Sequence, residues 1–187
     1  MDIGVISVRY ARALLKAATD AQLEDKVYRE MQTLAKSYLD APQLKHTLDN
    51  PMLAKEQKKT LMIVASGGQK TESDGPSGLT PQTVIFFDLV LREDRESMLQ
   101  FMANSYITLY RQQKNIIRGK LTTAVAVSDA VEQKMRQMVE AKTKGTVQFE
   151  TEVNPDIIGG FVLEYETYRL DASVQSRLRD IYAQLKH

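Results

Sequence analysis

The stretch VNPDIIGGFVLEYETYRLDASV, residues 153–174, decides how the second part of this 187-residue chain folds. Its centre is a glycine pair, Gly159 and Gly160, placed directly after a proline turn and before the strand-like segment that begins at Phe161. A dinucleotide-binding fingerprint requires G-x-G-x-x-G between a strand and a helix. Here the glycines are adjacent and a strand pattern follows, so the pair predicts a bulge or a close backbone approach.

Around this stretch the spacing of apolar residues changes from a helical period to a period of two. From Ile116 onward the alternation predicts a strand through KLTTAVAV, residues 120–127, with its inward face formed by Leu121, Thr123, Val125 and Val127. TVQFETEV, residues 146–153, predicts a second strand, and shorter strands follow near 160–165 and 168–170. A helix between the first two strands and one at the end complete a βαβββα order with a four-stranded sheet and two helices.

The first 113 residues carry only helical periodicity. Residues 5–40 predict two helices with a break near 20–22, and a helix beginning near Asp94 is predicted to run to about Gln113. The fold class is therefore α+β, with an all-helical part followed by a small α+β part.

The segment SGGQKTESDGPSGLTP, residues 66–81, separates two of these helices. It is rich in Gly, Ser, Pro and charge and contains one large apolar residue, so it cannot bury enough apolar area to offset the entropy of ordering. We predict a flexible surface loop that the fold does not require.

The composition and the motifs exclude several classes of function. With 25 basic and 24 acidic residues the net charge is +1, which argues against a dedicated nucleic-acid-binding protein. The chain lacks cysteine, and its two histidines cannot form a multi-histidine metal site. Apolar runs such as residues 84–87 are far below the roughly 20 residues of a membrane span. We find no constellation that requires an enzyme, a cofactor or a small-molecule substrate.

The first helix carries more apolar surface than a surface helix needs, and two explanations remain open. One stripe contains Val8, Ala11, Leu15 and Ala18, and a neighbouring stripe contains Tyr10, Leu14 and Ala17. The helix could lie at the centre of its bundle and be buried on two sides. Alternatively, one stripe faces the core and the other forms a groove for a partner helix.

Three segments together resemble one known family. SVRYARALLKAA near the start, IIRGKLTTAVAVSDA at 116–130 and NPDIIGGFVLEYETYRLDASVQSRLRDI at 154–181 look like the delta subunit of bacterial F-type ATP synthase. The mitochondrial counterpart of this family is the oligomycin-sensitivity-conferring protein. The resemblance spans nearly the whole chain, and the last segment is its most specific part.

This resemblance implies a non-catalytic subunit of the peripheral stalk, the stator. Residues 1–113 would form a six-helix bundle that binds the N-terminal helices of alpha subunits, and residues 114–187 would face the b subunits. The joint would hold the alpha/beta head still, so that proton-driven rotation is coupled to ATP synthesis. The protein would lie at the cytoplasmic face of the bacterial inner membrane without inserting into it, and no cofactor or nucleic acid is implied.

The resemblance also places the contact residues. The groove for the alpha helix falls on two helices, at Tyr10, Ala11, Leu14, Val84, Phe87, Asp88 and Leu91. Weaker candidates for the b contact, which could equally belong to the core, are Leu178, Ile181 and Leu185.

A second hypothesis is a helical adaptor tethered to a small RNA-binding α+β domain. The alternating sheet would then have to present Arg118, Lys120 and Arg169 to the RNA. Against this hypothesis, the sheet lacks the paired aromatic residues of an RNA-recognition module.

Overall fold

The computed structural model describes residues 3–69, 78–143, 145–165 and 167–185. The chain divides into two compact units, Met1–Gln112 and Gln113–His187. Of the predicted loop at 66–81, residues 70–77 lie outside the described residues. Among the residues that are described, no helix is long and apolar enough to cross a membrane.

The first unit is helical, as predicted. Its helices are α1 (Ile3–Asp20), α2 (Glu24–Asp40), α3 (Gln43–Leu48), α4 (Lys55–Ala65), α5 (Pro81–Arg92) and α6 (Leu99–Lys114), with a 3₁₀ turn at Glu96–Met98. The core between them contains fully buried side chains from α2, α4, α5 and α6, among them Val27, Met31, Leu34, Met62, Phe87, Val90, Met102 and Tyr106.

Two helices of this unit end in the same hydrogen-bonded motif. After α1, Gln22 has a φ of 56°, and the amide of Leu23 donates to the carbonyl of Ala18 at 2.9 Å. After α5, Asp94 has a φ of 51°, and the amide of Arg95 donates to Val90 at 3.0 Å. A residue in the left-handed conformation just after a helix turns the chain back, so that the next amide can donate to a carbonyl in the last turn of the helix. The break predicted near 20–22 is confirmed. The predicted start of the next helix at Asp94 is wrong, because this left-handed residue lies in the turn after α5 and α6 begins at Leu99.

The second unit contains a mixed four-stranded sheet and two helices, as predicted. Its elements are β1 (Ile116–Thr123), α7 (Asp129–Thr143), β2 (Thr146–Val153), a 3₁₀ turn (Pro155–Ile157), β3 (Phe161–Tyr165), β4 (Tyr168–Asp171) and α8 (Val174–Leu185). The strand order is β2-β1-β3-β4, with β1 parallel to β2 and antiparallel to β3. One face of the sheet holds the core, which α7 joins through Val139 and which otherwise comprises Ile117, Leu121, Val147 and Leu163.

The strand predicted to reach Val127 ends four residues earlier. Thr123 is paired with Val153 on one side and with Phe161 on the other, and both neighbouring strands stop there. Beyond this point no strand is available to accept further ladder bonds. The hydroxyl of Thr123 donates to the carbonyl of Val125 at 2.9 Å, and the side chain of Val125 is 71% exposed.

The glycine pair forms the corner where β3 meets the chain that enters α8. Gly160 has a φ of +76°, and a Cβ built on it would lie 2.2 Å from the carbonyl oxygen of Ala172. On either side of this contact, Val174 donates its amide to Gly159 and Ala172 donates to Phe161, both at 2.9 Å. The predicted close backbone approach is therefore confirmed, and only glycine fits it.

Asp171, at the end of β4, supports the N-terminal cap of α8, in which the hydroxyl of Ser173 accepts the amide of Ser176 at 3.2 Å. Its carboxylate accepts the hydroxyl of Ser173 at 2.6 Å, the amide of Ser173 at 3.0 Å and the hydroxyl of Ser176 at 2.8 Å. These bonds favour the ionised form, and with the smaller influence of Arg169 they lower the pKa of Asp171 to about 2. The carboxylate also lies at the positive end of the helix dipole.

We predict that Gly160→Ala destabilises the second unit by roughly 2–4 kcal/mol, because backbone strain adds to a collision with a carbonyl. A matched control is Gly78→Ala: the φ of Gly78 is +74°, but a Cβ there meets nothing within 4 Å. Gly78→Ala should lower the free energy of unfolding only by the backbone strain, about 1–2 kcal/mol. Urea unfolding followed by circular dichroism measures both, and equal losses would contradict the close contact.

Asp171→Asn should lower stability at neutral pH, and the deficit relative to the wild type should shrink in acid. The pKa falls from 3.8 in the unfolded chain to about 2 in the folded one, so the contribution is complete above pH 3.8. It is lost as the pH falls through 2, because the folded carboxylate then takes up its proton too. Unfolding curves recorded between pH 7 and 2 test this.

Asp180→Asn is the control, because Asp180 is exposed on the same helix and is not part of the cap. It should reduce stability at pH 7 by less than Asp171→Asn does. A deficit of Asp171→Asn that stayed constant down to pH 2 would contradict the cap.

Candidate partner-binding surfaces

The structure divides the seven predicted groove residues of α1 and α5 by accessibility. Four of them are buried in the bundle: Ala11 and Phe87 have no exposed surface, and Leu14 and Leu91 are 4% exposed. In this conformation they shape the packing of α1 against α5 and offer no side-chain area to a partner. That a partner helix docks along these two helices stays a prediction.

The other three predicted residues can be reached from outside. Tyr10 is half-buried, and the guanidinium of Arg95 lies 5.7 Å from the centre of its ring, which is cation–π range. Val84 is half-buried on α5, and Asp88 is exposed and accepts the Nζ of Lys59 at 2.7 Å. This carboxylate faces the α4 side of α5, because it lines the same surface depression as three residues of α4, Lys55, Glu56 and Lys59.

The outward face of α1 is a feature that the sequence reasoning missed. Val5 and Val8 are 58% and 36% exposed at its beginning, and Arg9, Arg12 and Lys16 continue the same side of the helix. The buried residues of α1, such as Leu14 and Ala18, lie on the opposite side. The spacing 5, 9, 12 and 16 was a visible helical signal. This face combines an apolar end with a row of positive charge.

Three lysines on α4 hold the end of α5 and the turn after it. Lys58 is 5% exposed and forms an ion pair with Glu96, the first residue of the 3₁₀ turn. Lys55 donates to Asp94 and to the carbonyl of Leu91, both at 2.7 Å, and this bond lowers the pKa of Asp94. The Lys58–Glu96 ion pair therefore ties the 3₁₀ turn after α5 to α4. Removing either residue would leave the charge of the other without a partner.

A carboxylate on α2 holds the beginning of α5. Glu30 accepts the amide of Thr80 at 2.7 Å and its hydroxyl at 2.8 Å, and also accepts the hydroxyl of Thr83. Thr80 stands at the N-cap but makes no side-chain cap of its own, so Glu30 supplies the acceptor from 50 residues away. Both ends of α5 are thus pinned to other helices, which sets its position relative to α1.

The three candidates on α8 lie on its surface. Leu178, Ile181 and Leu185 are 52%, 53% and 80% exposed, and no residue of α8 is buried. Val174 and Tyr182 extend the same face, at 38% and 62% exposure. We call the set Val174, Leu178, Ile181, Tyr182 and Leu185 the α8 stripe. Each of these residues is more than a third exposed, and none belongs to the buried core.

The open face of the sheet has alternating charge along the strand order. Glu150 and Glu152 on β2 meet Arg118 and Lys120 on β1, with Lys120 2.7 Å from Glu152. Further along, Glu164 on β3 lies 3.5 Å from Arg169 on β4, so each basic residue named for RNA binding pairs with an acid. The sheet aromatics Phe149, Phe161 and Tyr165 pack against the α7-side core instead. Nothing in this face favours RNA stacking.

Comparisons with known proteins identify the same family as the three sequence segments described above. The family model described as ATP synthase delta (OSCP) subunit matches residues 6–185. ATP synthase subunit delta of Phocaeicola vulgatus is 46% identical over 98% of this chain and 95% of its own length. The protein of the same name from Parabacteroides distasonis is 41% identical, over 97% and 96%.

A solved structure supports the same fold. One chain of the Toxoplasma gondii mitochondrial ATP synthase hexamer superimposes with a TM-score of 0.62, covering 97% of both chains at 21% identity. From the family model and the curated relatives together, the chain belongs to the ATP synthase delta (OSCP) subunit family, whose members are non-catalytic components of the peripheral stalk.

Proposed function

We propose that this chain joins the top of the alpha/beta head of an ATP synthase to its b subunits. The head would then stay fixed while proton flow turns the rotor, so that rotation drives ATP synthesis. Membership of the delta family supports a place in the complex. The observation that supports the linking role is that each compact unit exposes apolar residues on a helix, Val5 and Val8 on α1 in one unit and the α8 stripe in the other.

The first unit would bind an N-terminal helix of an alpha subunit beside α1 and α5. A helix laid in a groove is anchored by apolar residues at i, i+3, i+4 and i+7. Each well-buried anchor contributes roughly 1.5–3 kcal/mol, less the cost of ordering the peptide. Accessible groups suited to this contact are Tyr10 and Val84, with Val5 and Val8 on the outer side of α1.

The second unit would meet the b subunits through α8, with Leu178, Ile181 and Leu185 in the contact. Their exposure supports this assignment, because an apolar patch of this kind marks an interaction site on a soluble surface. The complex would hold the protein at the cytoplasmic face of a bacterial inner membrane through its partners.

A peptide with the sequence of the cognate alpha-subunit N-terminus should bind the full chain in calorimetry. We expect Val8→Asp to weaken this binding at least about tenfold, because it places a charge against an apolar contact. The control is Val64→Asp, since Val64 is 50% exposed on α4 and is not among the residues assigned to the groove. An unchanged affinity for Val8→Asp would place the site elsewhere, and no binding at high micromolar peptide would exclude it.

Ala11 is unsuitable for this test, although it is one of the residues assigned to the groove. Its side chain is fully buried, so a larger residue would overpack the bundle and change stability together with binding.

The whole function is tested by purification from membranes of the source cells after stripping at low ionic strength. We expect this chain to be released together with the alpha and beta subunits, because peripheral contacts are lost while the head remains assembled. Its recovery free of both subunits, with the head recovered intact in another fraction, would contradict the proposal.

A further inference from the structure

The α8 stripe is too regular to be incidental surface. Its residues lie 4, 3, 1 and 3 positions apart, which at about 100° per residue places them within an arc of about 100°. A helix of 12 residues is marginal by itself in water, and this one has no buried side chain to hold it. An exposed apolar stripe on such a helix indicates a binding surface for another molecule.

The charges beside the stripe indicate what covers it. Arg177 and Arg179 are exposed and lie on opposite sides of the stripe, each within about 60° of its edge. In the described part of the chain, neither guanidinium takes part in an ion pair. The acidic residue of α8, Asp180, lies on the far side of the helix. The apolar surface is therefore bordered by positive charge on both flanks.

We infer that α8 binds an amphipathic helix whose apolar face is flanked on both sides by acidic residues. The apolar contact would supply most of the affinity, and the flanking carboxylates would meet Arg177 and Arg179 and set the register. This inference rests on the proposed function, because the partner helix would belong to a b subunit.

Charge also argues against two other occupants. In a second copy of this chain the same stripe carries the same arginines, so pairing α8 with α8 brings guanidinium groups together. A helix that lies on a membrane is rich in basic residues across its polar face. The polar face of α8 instead carries Gln175, Ser176, Asp180 and Gln184.

The test measures binding of the full chain to the soluble domain of the cognate b subunit, at about 50 mM and about 300 mM salt. Leu178→Ser with Ile181→Ser should lower the affinity at least about tenfold at both salt concentrations, since it removes the anchors. Both residues are exposed, so the fold should survive and the circular dichroism spectrum should stay helical.

Arg177→Gln with Arg179→Gln should lower the affinity about three- to tenfold at low salt and little at high salt. The matched control is Lys134→Glu, which changes net charge by the same amount on the exposed surface of α7 and should leave the affinity unchanged. Together these two results would support the flanking acids.

Each other outcome is decisive as well. Normal binding by the serine variant removes α8 from the contact and leaves the linking role intact. If the Leu178→Ser, Ile181→Ser variant loses binding but the Arg177→Gln, Arg179→Gln variant has the same affinity as Lys134→Glu, only the inference of acidic residues beside the partner's apolar face is overturned. No binding by the wild-type chain overturns the b-subunit link itself. Binding of the wild type to vesicles of phosphatidylglycerol and phosphatidylethanolamine, but not to the b domain, identifies a membrane surface instead.

Discussion

The backbone of Gly160 lies so close to the carbonyl of Ala172 that no side chain fits between them. This one contact fixes where β3 starts relative to the chain that leaves β4, because the hydrogen bonds of Phe161 and Gly159 flank it on either side. It therefore sets the point at which α8 begins, and the Asp171 cap then stabilises the first turn of that helix. The place where α8 starts therefore follows from a corner that only glycine permits.

In the helical unit, polar and charged side chains fix the position of α5. The position of α5 is fixed at its beginning by Glu30 and near its end by Lys55, which donates to the carbonyl of Leu91, so its orientation does not depend on apolar packing alone. Hydrogen bonds and ion pairs are directional, whereas apolar contact tolerates sliding. The proposed linking role would use this rigidity, because the surface would transmit force to a partner helix. Polar contacts therefore hold α5, beside the first candidate surface, and the start of α8, which carries the second.

A linking protein that resists torque needs two firm contacts and no chemistry. The arrangement is consistent with that demand, because the two compact units expose different kinds of helical face. On α1 two exposed valines lead into a row of three positive charges, whereas on α8 five apolar residues lie between two arginines. Different patterns at the two contacts would keep partners from exchanging places, since specificity is a difference between affinities.

The sequence by itself determined the order of elements, the four-stranded sheet, the glycine corner and the family, because periodicity and turn chemistry are local properties of the chain. It could not determine which apolar faces are covered. Ala11, Leu14, Phe87 and Leu91 were assigned to a groove and lie buried, whereas Leu178, Ile181 and Leu185 were allowed to be core and lie exposed. Periodicity identifies an apolar face but not its neighbour. Only the tertiary structure decided this, and only it brought together Glu30 with Thr80 and Lys58 with Glu96, which lie 50 and 38 residues apart.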